Sequence, residues 1–366
     1  MADTAERTWI EPAIWLEPAR GGHLDPRLFG LSGLEQLRSF FKGLALPPPL
    51  AYLTGMVIGE VGPGAVSFGM PASEWLVSPP GFIQLGVLAM MADGSLGCSV
   101  QTSLPPATPY TTSELSMSFL RPVPADGKML VSRGRLIHSG RSLALSDVEI
   151  ADETGRLVAH GTSRCFVLDQ ISPAPDPSEV QPAELLTFDT PHPFQRPLAG
   201  SPVPQEAWDR LTGLEVMQAL AAGDLPAPPI SHLTGLRPTE VSEGSATFVL
   251  PTSPWLTSPL GTVQGGATAL LADTVLGTAV QTTLPRRTVY APLDLKVNYL
   301  RPVFGDGRDL TGTATIVHRG RTLAVASAQI HNADGKKVAV ATGTALIRED
   351  SPWRPDEPEG EPEEPA

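Results

Sequence analysis

The chain has 366 residues, 41% of them hydrophobic and 18% charged, and a net charge of -13. That is enough apolar material for two or three packed cores. No basic stripe accompanies the acid excess, which argues against a nucleic-acid partner, and no run approaches the roughly 18 apolar residues of a membrane span.

Residues 1–30 read as an N-terminal extension. Early acids in "MADTAERTWIEPAIWLEPAR" and the lack of a continuous apolar run argue against a secretory signal. Residues 31–44 have helical apolar spacing, and residues 54–70 alternate around glycine turns as one or two strands. Residues 82–101 have the length of a helix rich in Ala, Leu, Met and small residues, stopped by Leu104-Pro105-Pro106. Strand-like runs follow at 111–120, 129–138, 142–150 and 157–168. Asp126-Gly127, Ser139-Gly140 and Asp152-Glu153-Thr154-Gly155 punctuate them. The pattern predicts a strand, a long helix and a four-stranded antiparallel meander, an α+β domain over residues 31–168. Residues 169–205 hold nine prolines between 173 and 204 and read as an extended linker. A second domain is expected over residues 206–348. Residues 349–366 form an acidic Pro/Glu tail of disordered composition.

The second domain repeats the first. "SPPGFIQLGVLAMMADGSLG" from Ser78 is answered by "SPLGTVQGGATALLADTVLG" from Ser258, and 13 of 25 positions match between residues 81–105 and 261–285. "YLTG" at Tyr52, "FLRPV" at Phe119 and "IHSGRSLA" at Ile137 return as "HLTG" at His232, "YLRPV" at Tyr299 and "VHRGRTLA" at Val317, all 180 residues on. Units of this length are two copies of a domain rather than a solenoid.

The repeated stretch carries the chemistry. Gly265 and Gly266 open the long helix of the second copy. A helix N-terminus offers unpaired N–H groups and partial positive charge to an oxyanion, and glycine permits close approach. Paired glycines also serve simply to relieve crowding. Asp93 and Asp273 stand alone about two turns into apolar helices. A buried carboxylate is costly unless it is paired or used, so a capping or inter-helix hydrogen bond and a catalytic role both fit. Eight residues of helix rise about 12 Å, so an Asp cannot reach its own helix start. Cooperation needs a second, antiparallel helix, which the duplication supplies. Arg141 and Arg321, beside turn glycines, suit either phosphate binding or a solvated turn, and His138 and His318 read as structural. No metal-ligand spacing, phosphate loop or dinucleotide fingerprint occurs, so no metal or cofactor is expected. Cys98 and Cys165 align with Thr278 and Ala345. Unduplicated free thiols suit a reducing, cytoplasmic setting.

These residues resemble the hotdog-fold thioesterases, specifically the PaaI-like, phenylacetate-pathway group, across residues 54–168 and 235–347. The resemblance rests on the Gln-Gly-Gly region with an Asp eight residues after the first glycine, the Thr-x-Glu-Leu…Leu-Arg-Pro strand, the Gly-Arg turn and the Asp-x-x-Gly connection. It implies two tandem hotdog domains, each a long central helix wrapped by an antiparallel sheet, paired as an internal pseudo-dimer. It also implies an acyl-CoA substrate, with CoA as part of that substrate and no separate cofactor. The family's base or nucleophile falls on Asp93 and Asp273, and its oxyanion glycine on Gly265, with Gly266 and Gly86 following. Gln84 and Gln264 stand where the family has His, Ser78 and Ser258 where it often has Asn, and Thr112 at its strand hydroxyl. Leu85 and Pro292 depart from the pattern. The expectation is an acyl-CoA thioesterase with Asp93 of one copy facing Gly265 of the other. The alternative is a non-catalytic acyl-ligand binding protein with an eroded site. Whether two chains pair further stays open.

Overall fold

In the computed structural model, which describes residues 13–184 and 186–349, Ser32 starts the first helix by accepting from the Glu35 N–H at 3.4 Å. Helix α1 runs Gly33–Phe41 and α2 Pro49–Thr54, the latter ended by Gly55 at φ +78°. Strands β1 (Val57–Gly62) and β2 (Ala65–Pro71) form a hairpin. Helix α3, Leu85–Gln101, is apolar on all sides and accordingly buried on nearly all of them. Strands β3 (Tyr110–Phe119), β4 (Met129–Ser139), β5 (Leu143–Ala151) and β6 (Leu157–Val167) complete the first copy.

The second copy follows the same order. Helix α4 is Gln205–Arg210. Helix α5, Gly213–Ala222, starts from a reciprocal Thr212/Glu215 cap. Then come α6 (Pro229–Thr234), β7 (Arg237–Ser242), β8 (Ser245–Pro251), α7 (Gly265–Gln281), β9 (Val289–Tyr299), β10 (Asp309–Arg319), β11 (Leu323–His331) and β12 (Lys337–Arg348).

All strands join one twelve-stranded sheet in the order β1-β2-β4-β5-β6-β3-β9-β12-β11-β10-β8-β7. The strands expected as a meander are rearranged. β4 pairs with β2, and β3 crosses to lie between β6 and β9. The crossover from residue 120 to 128 passes the start of α3, where the Ile83 N–H donates to Val123 O at 3.0 Å. The reason is that β3 and β9 complete each other's free edges, which joins the copies. Helices α3 and α7 pack together on one face, and one large apolar core runs through both copies, with a smaller cluster of Val100, Ala144 and Cys165 beside it. Among the described residues no helix is long and apolar enough to cross a membrane.

The proline-rich segment is more than a spacer. Phe194 packs on Gly55, and the Trp75 indole donates to Arg196 O at 3.0 Å. The start of the chain does the same for the other copy. Trp15 packs on Gly235, Ser253 donates to Trp15 O at 2.6 Å, and the Trp255 indole donates to Glu17 O at 3.1 Å. Two straps thus lie across opposite halves. "IWLEP" and "FQRPL" share too little for sequence to reveal them as counterparts. The acidic tail lies outside the described residues.

Candidate active site

Helices α3 and α7 run antiparallel and cross through their N-terminal halves. Two glycines make the crossing close: a Cβ on Gly266 would stand 2.3 Å from Met90 Cα, and one on Gly86 2.6 Å from Leu270 Cα. These two glycines therefore relieve crowding between helices. The approach delivers each helix start to the opposite acid. Gly266 N–H donates to Asp93 Oδ2 at 3.0 Å, and Gly86 N–H donates to Asp273 Oδ2 at 2.8 Å. Each acid is thus an N-terminal cap supplied from another helix. Burial pushes both carboxyls up to about 6, against the downward pull of these N–H groups.

The two places differ in what else reaches the acid. The Gln84 amide donates to Asp273 Oδ2, the same oxygen that Gly86 uses. Its counterpart Gln264 turns away and donates to Met90 O at 3.2 Å, leaving its own Oε1 buried without a partner among the described residues. Exchanging the amide atoms would set oxygen against oxygen, so this orientation is fixed by the network. Thr112 Oγ1 donates to Asp93 Oδ1 at 3.4 Å, whereas Pro292, at a bulge in β9, offers nothing to Asp273. Gly265 also faces Asp93. A Cβ there would lie 3.2 Å from the carboxylate and 3.3 Å from the Tyr299 ring, whereas the first copy carries Leu85.

A cavity of about 720 Å³ opens on Asp93. Its polar floor is Asp93, Thr112, Gln264, Gly265, Thr268 and Tyr299, and Ser258 lies further along its wall. Phe29, Leu37, Phe40, Met56, Phe68 and Phe166 give it apolar walls. Asp273 is not among its lining residues. Helix α1 explains part of the space. Leu37 faces the cavity rather than joining the core, while Val216, Met217 and Leu220 of α5 pack into the core. The second copy thus buries what the first leaves open.

The remaining sequence candidates fall elsewhere. Ser78 Oγ donates to Phe82 O at 2.8 Å and closes a loop. Arg141 and Arg321 stand exposed in turns and do not line the cavity, and His138 and His318 are exposed on strand ends. No cluster of three metal-ligating side chains occurs among the described residues. Sequence reasoning missed Tyr299, whose hydroxyl donates to Gly265 O at 3.0 Å. The signal was the single change between "FLRPV" and "YLRPV".

The description "Thioesterase superfamily" matches residues 260–339, and "Acyl-CoA thioesterase C-terminal domain" matches residues 60–167. A Halobacterium salinarum protein provisionally named an esterase is 34% identical over 123 residues, which span 31% of this chain and 80% of that protein. The chain belongs to the thioesterase superfamily. Its chemistry is accordingly thioester hydrolysis. A medium/long-chain acyl-CoA thioesterase of Salmonella typhimurium is 40% identical over 55 residues, covering 15% of this chain and 34% of that protein. A hot-dog-fold protein of Alicyclobacillus acidocaldarius aligns with a TM-score of 0.52 at 15% identity, over 82% of this chain and 97% of its own. That likeness establishes the fold of the thioesterase as a double hotdog.

Proposed function

We propose that this protein is an acyl-CoA thioesterase in which one of the two duplicated sites, that of Asp93, does the work. The observation that carries the proposal is the cavity that meets the Asp93 carboxylate at the start of α7, while Gln84 occupies Asp273.

The thioester carbonyl docks at the start of α7, where the helix dipole stabilises developing negative charge. Asp93 is ionised above a pH of about 6 and takes a proton from water. Thr112, whose hydroxyl donates to the other carboxylate oxygen, helps hold Asp93 in place for this transfer. Attack on the carbonyl carbon is followed by cleavage of the C–S bond. The CoA thiolate leaves without a strong general acid, because a thiol of ordinary pKa, about 8.5, is a good leaving group. The products are the free acid and CoA, and the scheme uses only this chain's residues and water.

The aromatic and aliphatic walls support an apolar acyl group, and the named activity of the Salmonella relative supports medium or longer chains. We also assign the protein to a reducing, cytoplasmic setting, where Cys98 and Cys165 stay free thiols. The test is thiol release from a panel of acyl-CoAs of increasing chain length. The expected result is kcat/KM rising from acetyl to medium chains. Micromolar binding without thiol release would instead make the protein an acyl-ligand carrier.

A further inference from the structure

We propose that Tyr299 is a positioning residue for the Asp93 site, orienting through the Gly265–Gly266 peptide the N–H that holds the carboxylate. The proposal rests on the reading of Asp93 as the working acid. The Gly265–Gly266 bond is not among the cis peptides, so its C=O and N–H point in opposite directions from one rigid plane. Both ends of that plane are occupied. Tyr299 Oη donates to Gly265 O at 3.0 Å, and Gly266 N–H donates to Asp93 Oδ2 at 3.0 Å. Fixing one end fixes the other. Glycine at 265 has no side chain to restrain this plane, and the Tyr299 ring stands 3.3 Å from where a Cβ would be. The phenol adds a second restraint to the one that the first turn of α7 already gives this peptide.

The other copy shows the position without a hydroxyl. Phe119 replaces Tyr299, and Leu85 replaces Gly265. There the acid is steadied by the Gln84 amide instead. A tyrosine at 299 thus coincides with a glutamine turned away from the acid, and a phenylalanine at 119 with a glutamine bound to it. The phenol holds the carbonyl end of the peptide while the carboxylate holds its N–H end. The face of Asp93 toward the cavity stays open.

A pH readout separates positioning from general structural support. The titratable groups around Asp93 are Cys98 on its own helix, Tyr110 on β3, Cys165 on β6 and Tyr299 on β9. Burial raises all four, with Cys98 at about 12 and Cys165 at about 11. They stay neutral through the working range, so the acid limb belongs to Asp93. The Gly266 N–H lowers the Asp93 pKa. A loosened peptide should therefore move the acid limb to higher pH.

The experiment compares Tyr299→Phe and Asp93→Asn with wild type in the full chain. Phe119 at the equivalent place indicates that Tyr299→Phe folds. The expected result is a roughly tenfold fall in kcat, KM within about twofold, an acid limb moved upward, and faster deuterium uptake at the first turn of α7. Wild-type kcat and an unmoved acid limb in Tyr299→Phe, with Asp93→Asn inactive, would overturn the role of Tyr299. Full turnover by Asp93→Asn would overturn the site reading itself, and the tyrosine proposal with it.

Discussion

Ser116 on β3 lies opposite Lys296 on β9, its own counterpart 180 residues later. The register is symmetric about that pair, with Glu114 opposite Asn298 and Ser118 opposite Asp294. A pseudo-two-fold axis therefore passes through positions whose two occupants differ. Lys296 reaches Glu114 of the other copy at 3.1 Å. The straps repeat the device: Glu17 and Arg196 hold equivalent places and form an ion pair at 2.6 Å. Identical halves would set lysine against lysine and arginine against arginine. Duplication has let each half fit the other better than itself.

The central β3 edge cannot stand alone. Residues 1–168 expressed alone should expose it, together with half of a shared core, and self-associate or aggregate. Sedimentation of this fragment as a stable, folded monomer would contradict the internal dimer.

The strap pair gives a charge test. Glu17→Arg should destabilise the full chain by about 1–2 kcal/mol, since both side chains are largely shielded and the two cations would then repel. Adding Arg196→Glu restores an opposite pair and should recover most of the loss. Additive losses in the double variant would show that the pair carries no coupling.

Asp93 should cost stability at neutral pH. Its folded pKa, about 6, lies above the ordinary 3.8, so the folded state holds the proton more tightly. Stability from this group is complete below the unfolded pKa and is lost as pH rises through about 6. The ionised buried acid then weighs against folding by up to ~3 kcal/mol. Asn can still accept from Gly266 N–H. Asp93→Asn is therefore expected to melt higher than wild type at pH 7, the gap closing toward pH 4. A gap independent of pH would contradict the shifted carboxyl.

The crossing glycines should be intolerant. Gly266→Ala places a Cβ 2.3 Å from Met90 Cα, an overlap with backbone that no rotamer relieves. A loss of about 1–3 kcal/mol is expected, with activity falling as the Asp93 contact shifts. Gly266 is helical and is not among the glycines of positive φ, so backbone conformation adds nothing to this loss and the overlap alone accounts for it. Equal melting of Gly266→Ala and wild type would contradict the close crossing.

Much of this was legible in the sequence because duplication doubles every signal. Each long helix, each acid and the need for an antiparallel partner could be read from the 180-residue offset. Of the two readings open for the acids, cap or catalyst, the cap is visible for both, and Asp93 in addition lines the cavity of about 720 Å³. The place of β3 was hidden, because strand pairing across copies leaves no local pattern. So was the choice made by Gln84 and Gln264. Identical residues in identical motifs adopt different partners, beside neighbours that differ between the copies: Leu85 and Gly265, Phe119 and Tyr299, Thr112 and Pro292. The cavity was hidden for a similar reason. α1 and α5 both have helical apolar spacing, yet one stands off the core and the other fills it.

The most direct test of one working site is kcat/KM for Asp93→Asn beside Asp273→Asn, on the acyl-CoA that wild type turns over fastest. Each change nearly preserves volume, and melting curves check folding. Loss of the general base should cost Asp93→Asn about 10²–10³-fold. Asp273, covered by Gln84 and away from the cavity, should be replaceable with most activity retained. Equal losses from the two variants, or a greater loss from Asp273→Asn, would contradict the account.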